Sequence, residues 1–314
     1  MIKSRRYVFF PGIIVVVFLA DLAVGGLISN GFIVKVIISE WILNKCFTAN
    51  EQLLLSLSIS NFIITILMIT SLLLTNQVNS YSRFQVLFAY NFSAIFFRSW
   101  LTVWLSVFYC IKITISTHFL FLWCKLRISW LIPRLLVGSA IISFFISIYA
   151  FHGILILPYR NTTVNSTNMS QEWKPIQFVD SFSVFFLSAG SACPALMMVL
   201  FSTIVVVSLC RHIYRMTGKE SKFRNPQMEA HIKAAGTVIL LLLFHVLFYL
   251  AETFSFTICF GSKPAVPLTI LAMLYPPAQA AILVLVNPKL KQAATCIFLK
   301  ISQEQTRHTA CSHI

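Results

Sequence analysis

The stretch RSWLTVWLSVFYCIKITIS, Arg98–Ser116, decides the fold of this chain. Within it, the segment WLSVFYCIKI, Trp104–Ile113, is almost wholly apolar, and its one lysine, Lys112, stands near its end, two residues after Cys110. About 20 apolar residues are enough for a helix to cross the roughly 30 Å hydrocarbon core of a bilayer. The stretch therefore predicts a membrane-spanning helix with a positive charge close to one membrane surface.

Composition extends this expectation to the whole chain. Only 11% of the 314 residues are charged and 58% are hydrophobic, whereas soluble globular proteins carry about 25% charged residues. The net charge of +15 would suit nucleic-acid binding, but the basic residues lie in short clusters between apolar runs, as in the loops of membrane proteins. We therefore expect membrane lipid as a partner and no nucleic acid.

Seven apolar segments follow one another along the chain, and we number them as spans one to seven. Helices are expected, because a helix satisfies its own backbone hydrogen bonds inside lipid. The prediction is an all-α membrane protein, a seven-transmembrane-helix bundle that forms a single domain over 1–314. The spans cover about 9–38, 53–74, 84–115, 131–157, 182–209, 234–259 and 266–286, and a short cytoplasmic amphipathic helix follows at about 288–300.

Charge and glycosylation signals predict the orientation in the membrane. Most of the 24 Lys and Arg residues fall on one set of loops, which should be cytoplasmic, although Lys3, Arg5 and Arg6 favour the opposite side. Glycosylation requires a lumenal or extracellular loop. We expect a plasma-membrane protein with its N-terminus outside and its C-terminus in the cytoplasm. The loop after span four then carries its three N-x-S/T sequons outside the cell, at Asn161, Asn165 and Asn168.

Seven helices in this orientation suggest a G-protein-coupled receptor. A retinal-binding pump needs a lysine midway along span seven, which has none. The sequence has no P-loop, paired-carboxylate motif or H-E-x-x-H motif, and its histidines lack metal-ligand spacing, so we expect no catalysis, cofactor or metal. A transporter or a channel remains an alternative of another class, although no internal repeat is visible.

The cytoplasmic end of span three departs from rhodopsin-like receptors, which have Asp-Arg-Tyr there. This chain has Phe108-Tyr109-x-x-Lys112-Ile113, which resembles the type 2 bitter taste receptor family. The resemblance implies a chemosensory receptor that binds small, mostly apolar bitter agonists from outside and activates a gustducin-like or Gi-type G protein. Further matches follow in chain order at Gly26-x-x-x-Asn30, Ser208-Leu209-x-x-His212, Ala230-His231-Ile232-Lys233, Tyr275-Pro276 and Asn287-x-Lys289-Leu290-Lys291.

Three departures from the family pattern indicate a divergent member. Helix two usually has an arginine where this chain has Asn61, and helix one has no acidic residue at Leu22. Helix seven usually reads Tyr-Pro-Ser-x-His-Ser, and here it reads YPPAQA over 275–280. Asn30 and Asn61 remain able to hydrogen-bond between spans one, two and seven.

The resemblance places the agonist among the outer halves of spans three, five, six and seven. Two helix-three positions that are usually Trp and Asn align with Asn91 and Ile95, so the family's ligand preference does not carry over. Arg98 and Glu252 stand out because ionisable groups are costly in lipid and usually face a cavity; a purely structural role is the alternative. The expected lining is Asn91, Phe92, Ile95, Arg98, Ser99, Phe185, Ser188, Phe248, Glu252, Thr269 and Met273.

A second group of residues is expected to couple the receptor to its G protein. Lys112 would anchor the end of span three, and Tyr109 would switch between receptor states. In the plainer interpretation, Lys112 reaches for lipid headgroups, Tyr109 is an interfacial aromatic, and the histidines are solvated. The group is Tyr109, Lys112, His212, His231, Lys233 and Lys289.

A vomeronasal type 1 pheromone receptor is the nearest alternative, because it is similar in length and layout. The motifs FYCIKI in span three and NPKLKQ after span seven favour the bitter taste receptor.

Overall fold

Helices make up almost all of the part of the chain that the structure describes. The computed structural model describes residues 2–74, 81–113, 119–155, 177–178, 181–217, 266–311 and scattered positions between 236 and 248, and these last positions are also helical. The elements in chain order are α1 (Ile2–Asn44), α2 (Ala49–Leu74), α3 (Tyr81–Ile113), α4 (Phe119–Gly153), β1 (Ile154–Leu155), β2 (Gln177–Phe178), α5 (Ser181–Thr217), α6 (Val266–Val286) and α7 (Pro288–Cys311). Span seven of the prediction is α6.

Several of these helices are suited to cross a membrane. Large apolar side chains such as Phe18, Ile28, Phe145 and Leu285 are exposed on them. A water-soluble protein seldom leaves so much apolar surface open, so the prediction of a helical multi-pass membrane protein is confirmed. Within the described residues, the long apolar stretches are Ile14–Asn44, Ala49–Leu73, Ala89–Lys112, Leu122–Ile148 and Thr269–Val286, with a shorter one at Ala192–Ser208.

The helices extend beyond the predicted spans at both membrane surfaces. Hydropathy marks only the part of a helix that lies in lipid, whereas Lys, Arg, Gln and Leu continue a helix readily in water. Charged residues such as Lys125 and Arg127 therefore lie inside α4. As corrections, α1 covers Ile2–Asn44 and not 9–38, α4 begins at Phe119 and not 131, α5 ends at Thr217 and not 209, and α7 ends at Cys311 and not 300.

A short β pairing connects α4 to the start of α5, which the all-helical prediction did not include. Ile154 lies opposite Phe178 and Leu155 opposite Gln177 in an antiparallel pair. A strand of two residues is too short to show an alternating pattern in the sequence. The pair satisfies backbone groups at the end of α4.

α3 is central to the described bundle, because it packs against α2, α4 and α5. Its side chains Leu101 and Leu105 are buried in the main hydrophobic cluster. Two polar contacts fix α3 against α4 in the described part of the chain. Trp104 Nε1 donates a hydrogen bond to Ser139 Oγ at 2.7 Å, and the Ser147 hydroxyl donates to the Ala89 backbone oxygen. The stretch Arg98–Ser116 thus begins in the interior of the protein.

α1 packs against α2 and α6 through a glycine. A Cβ atom at Gly26 would lie 3.4 Å from Pro277 Cδ and 3.4 Å from Thr65 Oγ1, already in van der Waals contact. Small residues allow helix backbones to approach closely in membranes. Gly26 therefore brings α1 close to both neighbouring helices.

Candidate functional site

Three buried amides join α1, α2 and α6 in the interior of the bundle. Asn61 Nδ2 donates hydrogen bonds to Gln279 Oε1 at 2.9 Å and to Asn30 Oδ1 at 3.3 Å. Asn30 Nδ2 in turn donates to the backbone oxygens of Gly26 at 2.9 Å and Pro276 at 3.2 Å. We call Asn30, Asn61 and Gln279 the amide cluster. The expected hydrogen bonding of Asn30 and Asn61 is confirmed.

Gln279 also connects the amide cluster to α3. Its Nε2 donates to the Tyr275 hydroxyl at 3.0 Å and to Thr102 Oγ1 at 3.4 Å. The Thr102 hydroxyl donates to the Arg98 backbone oxygen at 2.9 Å. The almost fully buried Gln279 side chain therefore links α6 directly to α2 and α3, and through Asn61 to α1.

The aromatic ring of Tyr275 brings together two residues of the predicted agonist pocket. The Arg98 guanidinium carbon lies 4.2 Å from the centre of the ring, and the Phe248 ring meets it edge-on at 4.5 Å with an interplanar angle of 80°. Arg98 and Phe248 are each only 2% exposed. Away from water, a cation–π contact contributes about 2 kcal/mol and an edge-to-face ring pair about 1 kcal/mol. We call Arg98, Phe248 and Tyr275 the Tyr275 cluster.

The other predicted pocket residues whose side chains are described lie on α3 and α6. Asn91, Ile95 and Arg98 share one face of α3 by their spacing, and Asn91 Oδ1 has no hydrogen-bond partner among the described residues. The Ser99 hydroxyl is engaged within its own helix, since it donates to the Ile95 oxygen at 3.0 Å. Phe92 is buried on α3, Met273 is buried on α6, and Thr269 on α6 is half-buried.

Several predicted residues fall where the structure gives no side-chain description. Phe185, Ser188 and His212 belong to α5, but only their backbone is described. The residues that lie outside the described part altogether are Glu252, His231, Lys233, Asn161, Asn165 and Asn168.

A groove of about 770 Å³ lies between α2, α3 and α4. Apolar side chains dominate its walls, including Ile63, Phe97 and Phe144, and Tyr90 also lines it. None of the predicted pocket residues whose side chains the structure describes borders this groove. The groove and the Tyr275 cluster are therefore separate features of the described bundle.

A lysine clasp joins three helices at the end of the bundle where α2 begins. Lys289 Nζ donates to Glu51 Oε1 at 2.8 Å and to Glu40 Oε2 at 3.1 Å. Glu51 is buried and also caps α2, because its carboxylate accepts from the Thr48 N–H at 2.9 Å. The hydrogen bonds to Glu51 and Glu40 raise the pKa of Lys289 above its ordinary 10.5. Lys289, predicted as a coupling residue, thus holds α7 against α1 and α2.

The last turns of α3 place the FYCIKI residues in different surroundings. Phe108 and Cys110 are buried, and Cys110 packs against Val205 of α5. Tyr109 is half-buried and meets Phe108 at a ring distance of 5.8 Å. Lys112 is exposed in the last turn of the helix, where a positive charge is favourable because the helix dipole is negative at that end. The lone lysine of the opening stretch therefore lies at the end of a buried helix.

Comparison with known proteins decides the family. The sequence profile of the family described as Taste receptor protein (TAS2R) matches residues 1–302. The chain belongs to this family. It is therefore a bitter taste receptor and not an enzyme. The match supports this assignment over the vomeronasal type 1 receptor and the transporter or channel that the sequence also left open.

Named relatives of this receptor cover nearly its whole length. The human Taste receptor type 2 member 39 is 29% identical over 301 residues, which are 93% of this chain and 88% of that receptor. The chicken (Gallus gallus) Taste receptor type 2 member 40 is 29% identical over 289 residues, with 88% and 91% of the two chains covered. The macaque (Macaca mulatta) Taste receptor type 2 member 9 is 29% identical over 288 residues.

Sequence reasoning missed two central residues of this taste receptor. Tyr275 was used only as part of a motif, and Gln279 was noted only as a departure from the family pattern. One signal was present, because Gln279 is a polar residue in an otherwise apolar span and follows Tyr275 by one helical turn. A buried polar side chain needs a partner, and that requirement points from Gln279 to Tyr275.

The clasp predicts that Lys289→Ala destabilises the receptor by about 1 kcal/mol, because the substitution leaves the buried Glu51 carboxylate without its lysine. The unfolding midpoint in detergent should fall, and by less in high salt, which screens the wild-type contact. The raised pKa of Lys289 means that the contribution is present at pH 7 and is lost as the pH rises above 10.5. It is also lost in acid, where the Glu51 carboxylate becomes protonated.

Lys291→Ala is the matched control for this prediction. Lys291 is exposed two residues further along α7 and has no ion pair among the described residues. Equal midpoints for the two variants would contradict a stabilising role of the clasp.

Proposed function

We propose that this receptor crosses the plasma membrane with seven helices, its N-terminus outside and its C-terminus in the cytoplasm. The five long apolar stretches, the apolar part of α5 and the helical positions between 236 and 248 support that number. The concentration of Lys and Arg in one set of loops supports the orientation.

The proposed orientation predicts glycosylation of the loop that contains Asn161, Asn165 and Asn168. Glycosidase treatment of the receptor from cells should increase its gel mobility, and replacing all three Asn by Gln should abolish that shift. A fourth sequon begins at Asn91, half-buried within α3, and serves as an internal control. A shift that survives the triple substitution, or no shift in the wild type, would contradict this topology.

We propose that a small, mostly apolar bitter agonist binds from outside in the interior between α3, α6 and the partly described sixth span. The bound receptor then activates a heterotrimeric G protein of the gustducin or Gi type. The single observation that supports this site is the Tyr275 cluster, in which a buried cation and two aromatic rings meet inside a membrane-spanning bundle. An ionisable residue at that depth usually serves function.

The proposed pocket extends from the Tyr275 cluster along α3 and α6. Asn91 offers a carbonyl oxygen that accepts no hydrogen bond from the described residues, which suits an agonist with an N–H or O–H donor. Ile95 adds apolar surface, worth about 25 cal/mol per Å² that an agonist buries. Ser99 contributes less, because its hydroxyl is already bonded to the Ile95 oxygen. The proposed lining also includes Phe92, Phe185, Ser188, Thr269 and Met273.

Glu252 is proposed to select agonists that carry a basic nitrogen. It follows Phe248 by four residues, a spacing that in the predicted sixth span would put both on one helix face. Glu252→Gln should weaken a cationic agonist roughly tenfold, as for the loss of about 1.4 kcal/mol, and leave a neutral agonist unchanged. The test is a bitter-compound screen in cells with a promiscuous G protein and a calcium dye, followed by dose–response curves for one agonist of each kind.

Glu304→Gln, an exposed position on α7, is the matched control for Glu252→Gln. An equal loss for both agonists would assign Glu252 a structural role. No loss for either agonist would remove it from the pocket. A wild-type receptor that gives no agonist-dependent GTP exchange on a purified Gi-type protein would refute the proposed function itself.

We propose that Tyr109, Lys112, His212, His231, Lys233 and Lys289 serve the G-protein side of the receptor. Lys112 is exposed at the end of α3 and would suit an acidic G-protein surface. Lys112→Ala should lower maximal GTP exchange several-fold, while agonist potency and surface expression stay near those of the wild type. A change in potency alone would assign Lys112 to ligand binding and overturn this proposal.

A further inference from the structure

Tyr275 contacts two groups of residues that the proposed function uses for different purposes. Its ring lies against Arg98 and Phe248, which belong to the proposed pocket. Its hydroxyl accepts a hydrogen bond from Gln279, which belongs to the amide cluster. One side chain therefore contacts both the place where an agonist would bind and the contacts that hold helices together.

Both N–H donors of the Gln279 side chain are already engaged, so a movement of Tyr275 must affect the hydrogen bonds of Gln279. A side-chain amide carries two N–H donors, and those of Gln279 are directed to the Tyr275 hydroxyl and to Thr102 Oγ1. Its oxygen accepts from Asn61 at 2.9 Å. If the Tyr275 hydroxyl moves, Gln279 either follows it, and disturbs its bonds to α2 and α3, or loses one of its hydrogen bonds.

The hydrogen bonds of the amide cluster form a closed circuit that returns to α6. Gln279 is bonded to Asn61, Asn61 to Asn30, and Asn30 to the backbone oxygen of Pro276. Pro276 directly follows Tyr275 in the chain. The Tyr275 side chain and the Pro276 backbone are thus hydrogen-bonded to members of the same three amides. A displacement of this part of α6 therefore changes the hydrogen bonds at its interfaces with α1 and α2.

We propose that Tyr275 is the positioning residue that passes agonist occupancy to the interfaces of α6 with α1 and α2. An agonist that displaces Phe248 or pairs with Arg98 moves the Tyr275 ring, and the hydroxyl then releases or carries Gln279. The described arrangement, with the Gln279 bond made, is the resting state. An agonist acts by binding better to the arrangement in which that bond is changed. This inference rests on the proposed function.

The test separates the hydroxyl of Tyr275 from its ring. Tyr275→Phe keeps the ring contacts to Arg98 and Phe248 but removes the acceptor for Gln279. It should raise basal GTP exchange at least threefold, with agonist affinity within threefold of the wild type. Tyr275→Leu removes the ring as well and should weaken agonist binding tenfold or more. Basal and agonist-stimulated GTP exchange are measured on purified receptor with a Gi-type protein, and affinity by competition binding.

Tyr90→Phe is the matched control, because Tyr90 is 59% exposed on α3 and the same hydroxyl is removed. Its basal exchange should equal that of the wild type. If Tyr275→Phe fails to reach the cell surface, Gln279→Leu removes the other partner of the bond and should raise basal exchange in the same way. A merely structural role of Tyr275 would lower the unfolding midpoint without changing basal exchange per folded receptor.

Two results would overturn the inference. The first is a basal exchange of Tyr275→Phe that is unchanged or lowered while its agonist affinity stays near that of the wild type. The second is an unchanged basal exchange of Tyr275→Phe together with a loss of its agonist affinity. These results are distinct from failure of the proposed function, in which the wild type itself gives no agonist-dependent exchange.

Discussion

The hydrogen bonds among Asn30, Asn61 and Gln279 are the interaction on which the interior of this receptor depends. A polar group left without a partner in lipid costs several kcal/mol, so each amide must find its partner on another helix. Apolar contacts cannot supply the same constraint, because lipid tails are as apolar as the side chains they would replace. The hydrogen bonds among the three amides form only when α1, α2 and α6 lie at one height and rotation relative to one another.

That constraint requires a close approach of α1 and α6, and Gly26 provides it. Asn30 reaches the Pro276 oxygen across 3.2 Å, one helical turn after a glycine that lies against Pro277. A side chain larger than a methyl group at Gly26 would hold the two helices apart and lengthen that bond. The glycine and the amide, four residues apart on one face of α1, therefore act together.

The sequence predicted the apolar cores of several helices but not all helix ends, and the contacts of the site only in part. Hydrophobic runs report burial in lipid directly, so the apolar cores of α2, α3 and α6 were predicted, whereas the beginning of α4, an apolar run that Lys125 and Arg127 interrupt, was not. Arg98 was singled out because a charge in lipid is conspicuous, and Phe248 because of its position in span six. Their meeting at Tyr275 could not be predicted, because it depends on how three distant segments pack. The same holds for the clasp, in which Lys289 contacts Glu40 and Glu51 at the opposite end of the sequence.

The amide cluster consists of groups that do not gain or lose a proton in ordinary aqueous media. A network built from ionised carboxylates and histidines would lose contacts when its carboxylates become protonated and its histidines become charged. The contacts among Asn30, Asn61 and Gln279 involve no group that titrates, so their strength is the same in acidic and neutral surroundings. Acid therefore leaves the hydrogen bonds among these three amides unchanged, in contrast to the contacts of Lys289 with Glu40 and Glu51.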